Sequence, residues 1–161
     1  MQIIKDGQIV DDSWHHLSDD DLLPSTGNIT VSCTRWLNER DTLKAQRRAL
    51  GIRLNGQDGI ENVAADLANF PLIVVEFPVM ADGRGFSLAR LLRERYDFGG
   101  EIRARGDFIR DQVFFLARVG VNAFESAAAK NLSELLPALK EFSVKYQAAT
   151  DDPTPLYRKR K

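Results

Sequence analysis

Arginines and acids at the ends of apolar segments are the residues of this chain best suited to chemistry. Arg103 and Arg105 stand two apart in the segment Glu101–Arg105. That spacing puts both guanidinium groups on one face if the segment is a strand. Buried there, they need carboxylates or an anionic ligand, because an unpaired interior charge is costly. Arg84 lies in the loop ADGRG between Gly83 and Gly85, whose missing side chains let backbone amides come close to a bound group. With Arg35, these residues form a candidate site for a small oxyanion such as sulfite, sulfate or phosphate. The competing expectation is a structural salt-bridge network that uses Glu76, Glu101, Asp82 and Asp107. Asp82 and Asp107 are acid–base candidates if they converge, and helix caps otherwise. Glu76 interrupts an apolar run, so it must be paired or sit at a strand end.

Other chemistries find less support. His15 and His16 are adjacent and point apart, which is poor metal geometry, so both are expected to be solvated or packed. Cys33 is the single cysteine. It cannot form an internal disulfide, and one thiol cannot hold an iron–sulfur cluster; a buried, inert thiol is expected. Trp36 is expected to pack rather than stack on a ligand. The chain has no zinc spacing, no dinucleotide fingerprint, no P-loop, no GxSxG and no Cys/His arrangement of a nucleophile.

The elements that must position these residues follow from hydrophobic period and turn chemistry. Leu72–Phe77, Glu101–Arg105 and Val121–Glu125 read as strands. Phe86–Tyr96 and Phe108–Val119 read as amphipathic helices between them. Two back-to-back βα crossovers imply parallel strands. Upstream, Ile29–Cys33 and Ile52–Leu54 read as strands. Asn38 is placed to cap a helix of roughly Glu39–Leu50 that ends at Gly51. Asp58 to Glu61 has capping-box spacing for a helix that runs to about Asn69. Asp107 is a candidate N-cap and Gly120 a candidate C′ residue. A last helix is expected from near Ser133, with Pro137 in its first turn and Phe142 and Tyr146 packing it on the sheet.

Met1–Val10 reads as a hairpin around Asp6-Gly7. Residues 11–28 read as an irregular arm, and 151–161 as a flexible basic tail. The expected fold is α/β: a mostly parallel sheet of about five βα units, either an open sheet or an incomplete TIM-like barrel, with an N-terminal β-hairpin. A full eight-unit barrel takes about 250 residues, and this chain has 161. That length suits one domain, 1–150, followed by the tail. In either architecture ligands bind at the carboxyl ends of the strands, which is where Thr34, Arg35, Trp36, Asn55, Gly56, Pro78, Asp82, Arg84, Arg103, Arg105, Asp107, Glu125 and Ser126 are expected to fall.

The net charge of −1 and a pI near 6.1 argue against a nucleic-acid binder. No apolar run is long enough to span a membrane, and the N-terminus lacks a secretory core, so no membrane role and a cytoplasmic location are expected.

The span FPVMADGRGFSLARLLRERYDFGGEIRARGDFIRDQVFFLARVGVNAFE, with FSVKYQ downstream, resembles a bacterial domain-of-unknown-function family. Its members are labelled oxidoreductases of sulfite reduction. The family-like positions are Phe77, Pro78 and Asp82 to Gly85, then Ser87, Arg90, Leu92, Arg93 and Arg95. They continue through Gly100, Glu101, Arg103, Ala104, Gly106, Asp107, Asp111, Gln112, Gly120 and Phe124. Met80 stands where many relatives carry an aromatic. The resemblance implies a role in assimilatory sulfite reduction, with sulfite reductase or another sulfur-assimilation enzyme as partner. Three functions remain open at this point: an accessory protein that binds the oxyanion or docks the reductase, a small barrel-like enzyme acting on a phosphorylated or carboxylated substrate, and a noncatalytic module that pairs with a second copy.

Overall fold

The structure, a computed structural model, describes residues 1–127 and 131–159. A single eight-stranded sheet organises it, in the order β2-β1-β8-β7-β6-β5-β4-β3. The strands are β1 Gln2–Lys5, β2 Gln8–Asp11, β3 Trp14–His16, β4 Asn28–Ser32, β5 Leu50–Leu54, β6 Leu72–Phe77, β7 Glu101–Gly106 and β8 Ala123–Ser126. From β3 to β8 every neighbouring pair is parallel. The hairpin β1–β2 joins antiparallel along β8. The chain is thus mixed α/β, with the expected N-terminal hairpin and mostly parallel sheet.

One short link dictates the curvature. β2 and β3 lie at opposite edges of the sheet, yet only Asp12 and Ser13 separate them in sequence. Eight strands spaced at ~4.8 Å would set the edges of a flat sheet about 34 Å apart. The step from Asp11 to Trp14 reaches about 11 Å at most. The sheet therefore curls, and it takes the form of a half-barrel.

The outer face is the hydrophobic core. Ile29, Val31, Ile52, Leu54, Ile73, Val75, Ile102, Ala104 and Phe124 alternate onto it and are buried. The α-helices α1 Cys33–Lys44, α2 Arg84–Glu94 and α3 Arg110–Arg118 accompany the sheet. Leu88, Ala89 and Leu92 of α2 and Val113 and Leu116 of α3 join that core. Full burial of one such side chain contributes roughly 1.5–3 kcal/mol. Phe77, Phe108 and Phe124 run edge-to-face through its centre, with centroids 6.1 and 6.3 Å apart.

Several elements differ from expectation, each for a local reason. The first helix starts at Cys33 rather than Glu39, because Ser32 Oγ accepts the Arg35 N–H at 3.0 Å and caps it. Asn38 lies within α1 just before a kink at Glu39, whose φ −117° and ψ 20° are non-helical, and Gly51 lies inside β5 rather than ending a helix. Asp58 does not form a capping box. Its carboxylate accepts the Asn55 N–H at 2.8 Å and closes a turn, and 3-10 turns at Ile60–Asn62 and Ala64–Asn69 replace the expected helix. Ile109, not Asp107, is the N-cap of α3, with the Gln112 side chain accepting the Ile109 N–H. Asp107 instead accepts the Met80 N–H at 3.3 Å. After β8 the chain forms 3-10 turns at Leu132–Glu134 and Leu136–Lys140, and Phe142 and Tyr146 stay exposed rather than packing on the sheet. The arm contains strand β3. In the tail Leu156–Arg158 forms a 3-10 turn; its last basic residues, Arg160 and Lys161, lie outside the described residues.

Two polar pillars hold the shell. Trp36 Nε1 donates to Asp66 at 3.3 Å, and Arg40 and Lys44 reach the same carboxylate at 3.2 and 2.7 Å. This ties α1 to the turn before β6. Arg93 of α2 donates to the carbonyls of Gly120, Phe98 and Gly100 and so stitches together the turns that precede β7 and β8. Gly120 takes φ +101°, as a C′ residue after α3 should.

Candidate functional site

The inner face of the half-barrel carries the charges. Register places Glu76, Arg105 and Glu125 side by side on β6, β7 and β8, with Arg103 one layer deeper beside Val74 and Ala123. Arg103 is the most enclosed, at 1% exposure. Asp12 receives its two terminal nitrogens at 2.9 and 3.1 Å, Glu101 receives Nε at 2.9 Å, and Glu125 lies 3.4 Å away. Arg105 reaches Glu125 at 2.9 Å and Glu76 at 3.3 Å. Arg53 of β5 also binds Glu76, at 3.2 Å, and donates to the carbonyls of Thr30 and Leu17. Lys5 completes the set on Glu101 at 2.8 Å. Four cations (Lys5, Arg53, Arg103, Arg105) thus face four carboxylates (Asp12, Glu76, Glu101, Glu125).

The arm closes this interior. His16 reaches across from the β3 edge, with Nδ1 2.6 Å from Thr30 Oγ1 and Nε2 2.9 Å from Glu125. Burial raises the Glu125 carboxyl pKa, but hydrogen bonds and charge from His16 and Arg105 more than reverse that and leave it below its ordinary value. For Arg103, burial lowers the pKa and the carboxylates of Asp12 and Glu101 outweigh it, so the charge is locked on.

Asp12, His16 and Glu125 bring three ligand atoms within 4.8 Å of one another, a spacing that can hold a metal ion. The Arg103 guanidinium already lies against both of these carboxylates. A cation added there would meet its positive charge.

The structure separates the four arginines singled out in the sequence. Arg103 is buried and matched. Arg105 stands at the rim between two acids. Arg35 is buried in α1, donating to the Ser18 carbonyl at 2.7 Å and to Glu39. Arg84 is on the rim with its side chain 53% exposed, and its Nε and Nη2 clasp Asp82 at 2.8 and 2.7 Å. Asp82 is pulled down to about 2 by Arg84's side-chain and backbone hydrogen bonds. A carboxylate held that strongly ionised is a weak general base near neutral pH. Glu76 is bound by two arginines, and Asp107 is tied to the Met80 loop. Gly85 serves packing: a Cβ there would sit 2.5 Å from the Phe77 ring, whereas Gly83 borders open space. Cys33 is buried, and burial, helped by Asp58, pushes its thiol up to about 11.

Two adjoining pockets open at the carboxyl ends of β5 and β6 and share Asn55, Gly56 and Arg84. One, of about 210 Å³, also touches Glu76, Pro78 and Asp82. The other, of about 280 Å³, runs between the Ile60–Asn62 turn and α2. Gly56 is what lets Arg84 lie there, because a Cβ at 56 would meet the Arg84 side chain at 2.5 Å.

Residues the sequence reading missed as partners are Asp12, His16 and Arg53. Arg53 carried a usable signal, since it alternates with Ile52 and Leu54 just as Arg103 alternates with Ile102 and Ala104. Asp12 and His16 carried none, because they meet Arg103 and Glu125 across 91 and 109 residues of chain.

This rim of exposed arginine over a charge-matched interior belongs to a family described as a bacterial protein of unknown function, DUF934, whose model matches residues 51–157. The chain is a member of that family. The matched span holds Glu76, Asp82, Arg84, Arg103, Arg105 and Glu125, while the hairpin, Asp12 and His16 precede it. No curated protein matches the chain. No helix among the described residues is long and apolar enough to cross a membrane.

Proposed function

We propose that this protein is a cytoplasmic accessory of assimilatory sulfite reduction that holds a small oxyanion at the rim of its half-barrel. One observation carries the reading. Asp82 takes the Nε–Nη2 edge of Arg84, and Nη1 at the far end has no partner among the described residues. The Nη1–Nη2 edge of a guanidinium offers two parallel N–H groups to an oxyanion, and Arg84 lines both rim pockets. Arg105, 37% exposed, adds positive charge beside Glu76. Arg103 and Arg35 serve the framework in this reading rather than the ligand.

The physiological context comes from the resemblance to proteins linked to sulfite reduction. The exposed Val79, Met80 and Ile109 lie near the same rim and give the reductase an apolar place to dock.

A thermal-shift series with sulfite, sulfate and phosphate tests the site. Ligand at 100 times its dissociation constant adds about 2.7 kcal/mol, which for a chain of this size is about 5–11 °C. The shift is expected in the wild type and absent in Arg84→Gln. No shift with any of the three anions would end the proposal.

A further inference from the structure

The cleft between the Ile60–Asn62 turn and α2 is larger than a bare oxyanion fills and is lined by charges of both signs. Its volume is about 280 Å³, whereas one water takes roughly 30 Å³ in the liquid. A five-atom anion on Arg84 fills only part of it. Its charged lining consists of Arg84 on one side and Asp58 and Glu61 on the other. Arg84 is balanced by Asp82. Asp58 and Glu61 have no ion-pair partner among the described residues, and Asp58 has one oxygen beyond the one that accepts the Asn55 N–H. Ser87 Oγ, on the α2 wall, is likewise without a partner among the described residues. Leu88 and Leu91 of α2 and Ile60 of the turn line the cleft between these groups.

We infer that the ligand is a small zwitterion: a tetrahedral oxyanion head on the free edge of Arg84, joined through a short aliphatic body to an ammonium group facing Asp58 and Glu61. The free edge of Arg84 takes an oxyanion head, and the two unmatched carboxylates take a cationic group on the same molecule. A molecule carrying both charges meets its opposite at each end. The short body covers the apolar side chains, and Ser87 is a hydrogen-bond partner for a hydroxyl or amine along it. This inference rests on the oxyanion reading of Arg84 and adds the chemical class of what the head is attached to.

Calorimetric titration with inorganic phosphate, ethyl phosphate and 2-aminoethyl phosphate separates the two claims. In parallel, sulfate, ethanesulfonate and 2-aminoethanesulfonate distinguish a phosphoryl from a sulfonyl head. The amine-bearing probe is expected to bind at least tenfold more tightly than the ethyl compound of the same head group. Glu61→Gln should remove most of that advantage without weakening inorganic phosphate, because Glu61 is exposed and holds no structural bond. Arg84→Gln should lose all probes. Equal affinity for the ethyl and aminoethyl compounds overturns the zwitterion inference while leaving the oxyanion site standing. An advantage that survives in both Glu61→Gln and Asp58→Asn overturns it as well. Failure of every probe in the wild type removes both.

Discussion

Replacing Arg103 with methionine isolates the charge lattice inside the half-barrel. Arg103 is 1% exposed and touches three carboxylates. After its removal Glu101 keeps Lys5, and Glu125 keeps Arg105 and His16. Asp12, 2% exposed, keeps only the Trp14 backbone N–H at 3.2 Å. One buried carboxylate is thus orphaned. Breaking a buried ion pair from one side costs about 3–5 kcal/mol, or about 6–20 °C in a chain of this length. Urea denaturation of the wild type, Arg103→Met and Asp12→Leu/Arg103→Met measures it. The double variant removes the orphan, so it should recover about 1–3 kcal/mol of the loss. A single variant within ~0.5 kcal/mol of wild type, or a double variant no better than the single, would refute the reasoning.

Further expectations concern titration and backbone. The Asp82 pKa is depressed to about 2 in the folded chain, so its clasp on Arg84 is complete above the ordinary value of 3.8 and is lost only as pH falls through about 2; NMR titration of the Asp82 carboxyl carbon reads this directly. Glu125 also has a lowered folded pKa, so its stabilisation is full above its ordinary 4.5 and is lost as pH drops through its lower folded value. Glu125→Gln should therefore be less stable at neutral pH and show a flatter acid limb in urea melts. Cys33, with its thiol pushed up to about 11, should resist a disulfide reagent at pH 8 in the native protein and react once urea unfolds it. Gly106→Ala should destabilise by more than ~1 kcal/mol, because residue 106 has φ +115° and a Cβ there would meet the Phe77 carbonyl oxygen at 2.4 Å.

Local pattern made much of the sheet legible. Leu72–Phe77 was read with the bounds it has in the structure, and Glu101–Arg105 falls one residue short of β7. The apolar run before Glu76 in the first and the strict alternation of Ile102 and Ala104 with charged residues in the second both point to strands. Helix starts were read less well, since a serine at the end of a strand competes with an asparagine six residues on, and only the position of the sheet decides between them. Asp58 shows the same limit: its side chain serves either a helix cap or a turn, and here the tight Asn55–Asp58 turn takes it.

The candidate site divides along the same line. Spacing put Arg103 and Arg105 on one face, and the structure agrees. The competing salt-bridge expectation named Glu101 and Glu76, which do pair with Arg103 and Arg105, but not Asp12 or Glu125. The curl of the sheet supplies Asp12 and the neighbouring strand β8 supplies Glu125, so Arg103 lies against three carboxylates. Arg84 opens α2 and keeps an unengaged edge, because Asp82 takes only its Nε–Nη2 side.

The central claim is that Arg84, and not the interior arginines, meets an oxyanion. Arginine Nε–Hε NMR during a sulfite titration tests it most directly, with peaks assigned by Arg84→Lys and Arg103→Lys. The account predicts a saturable shift of the Arg84 resonance and a still Arg103 resonance. A static Arg84 peak, or a shift confined to Arg103, would contradict it.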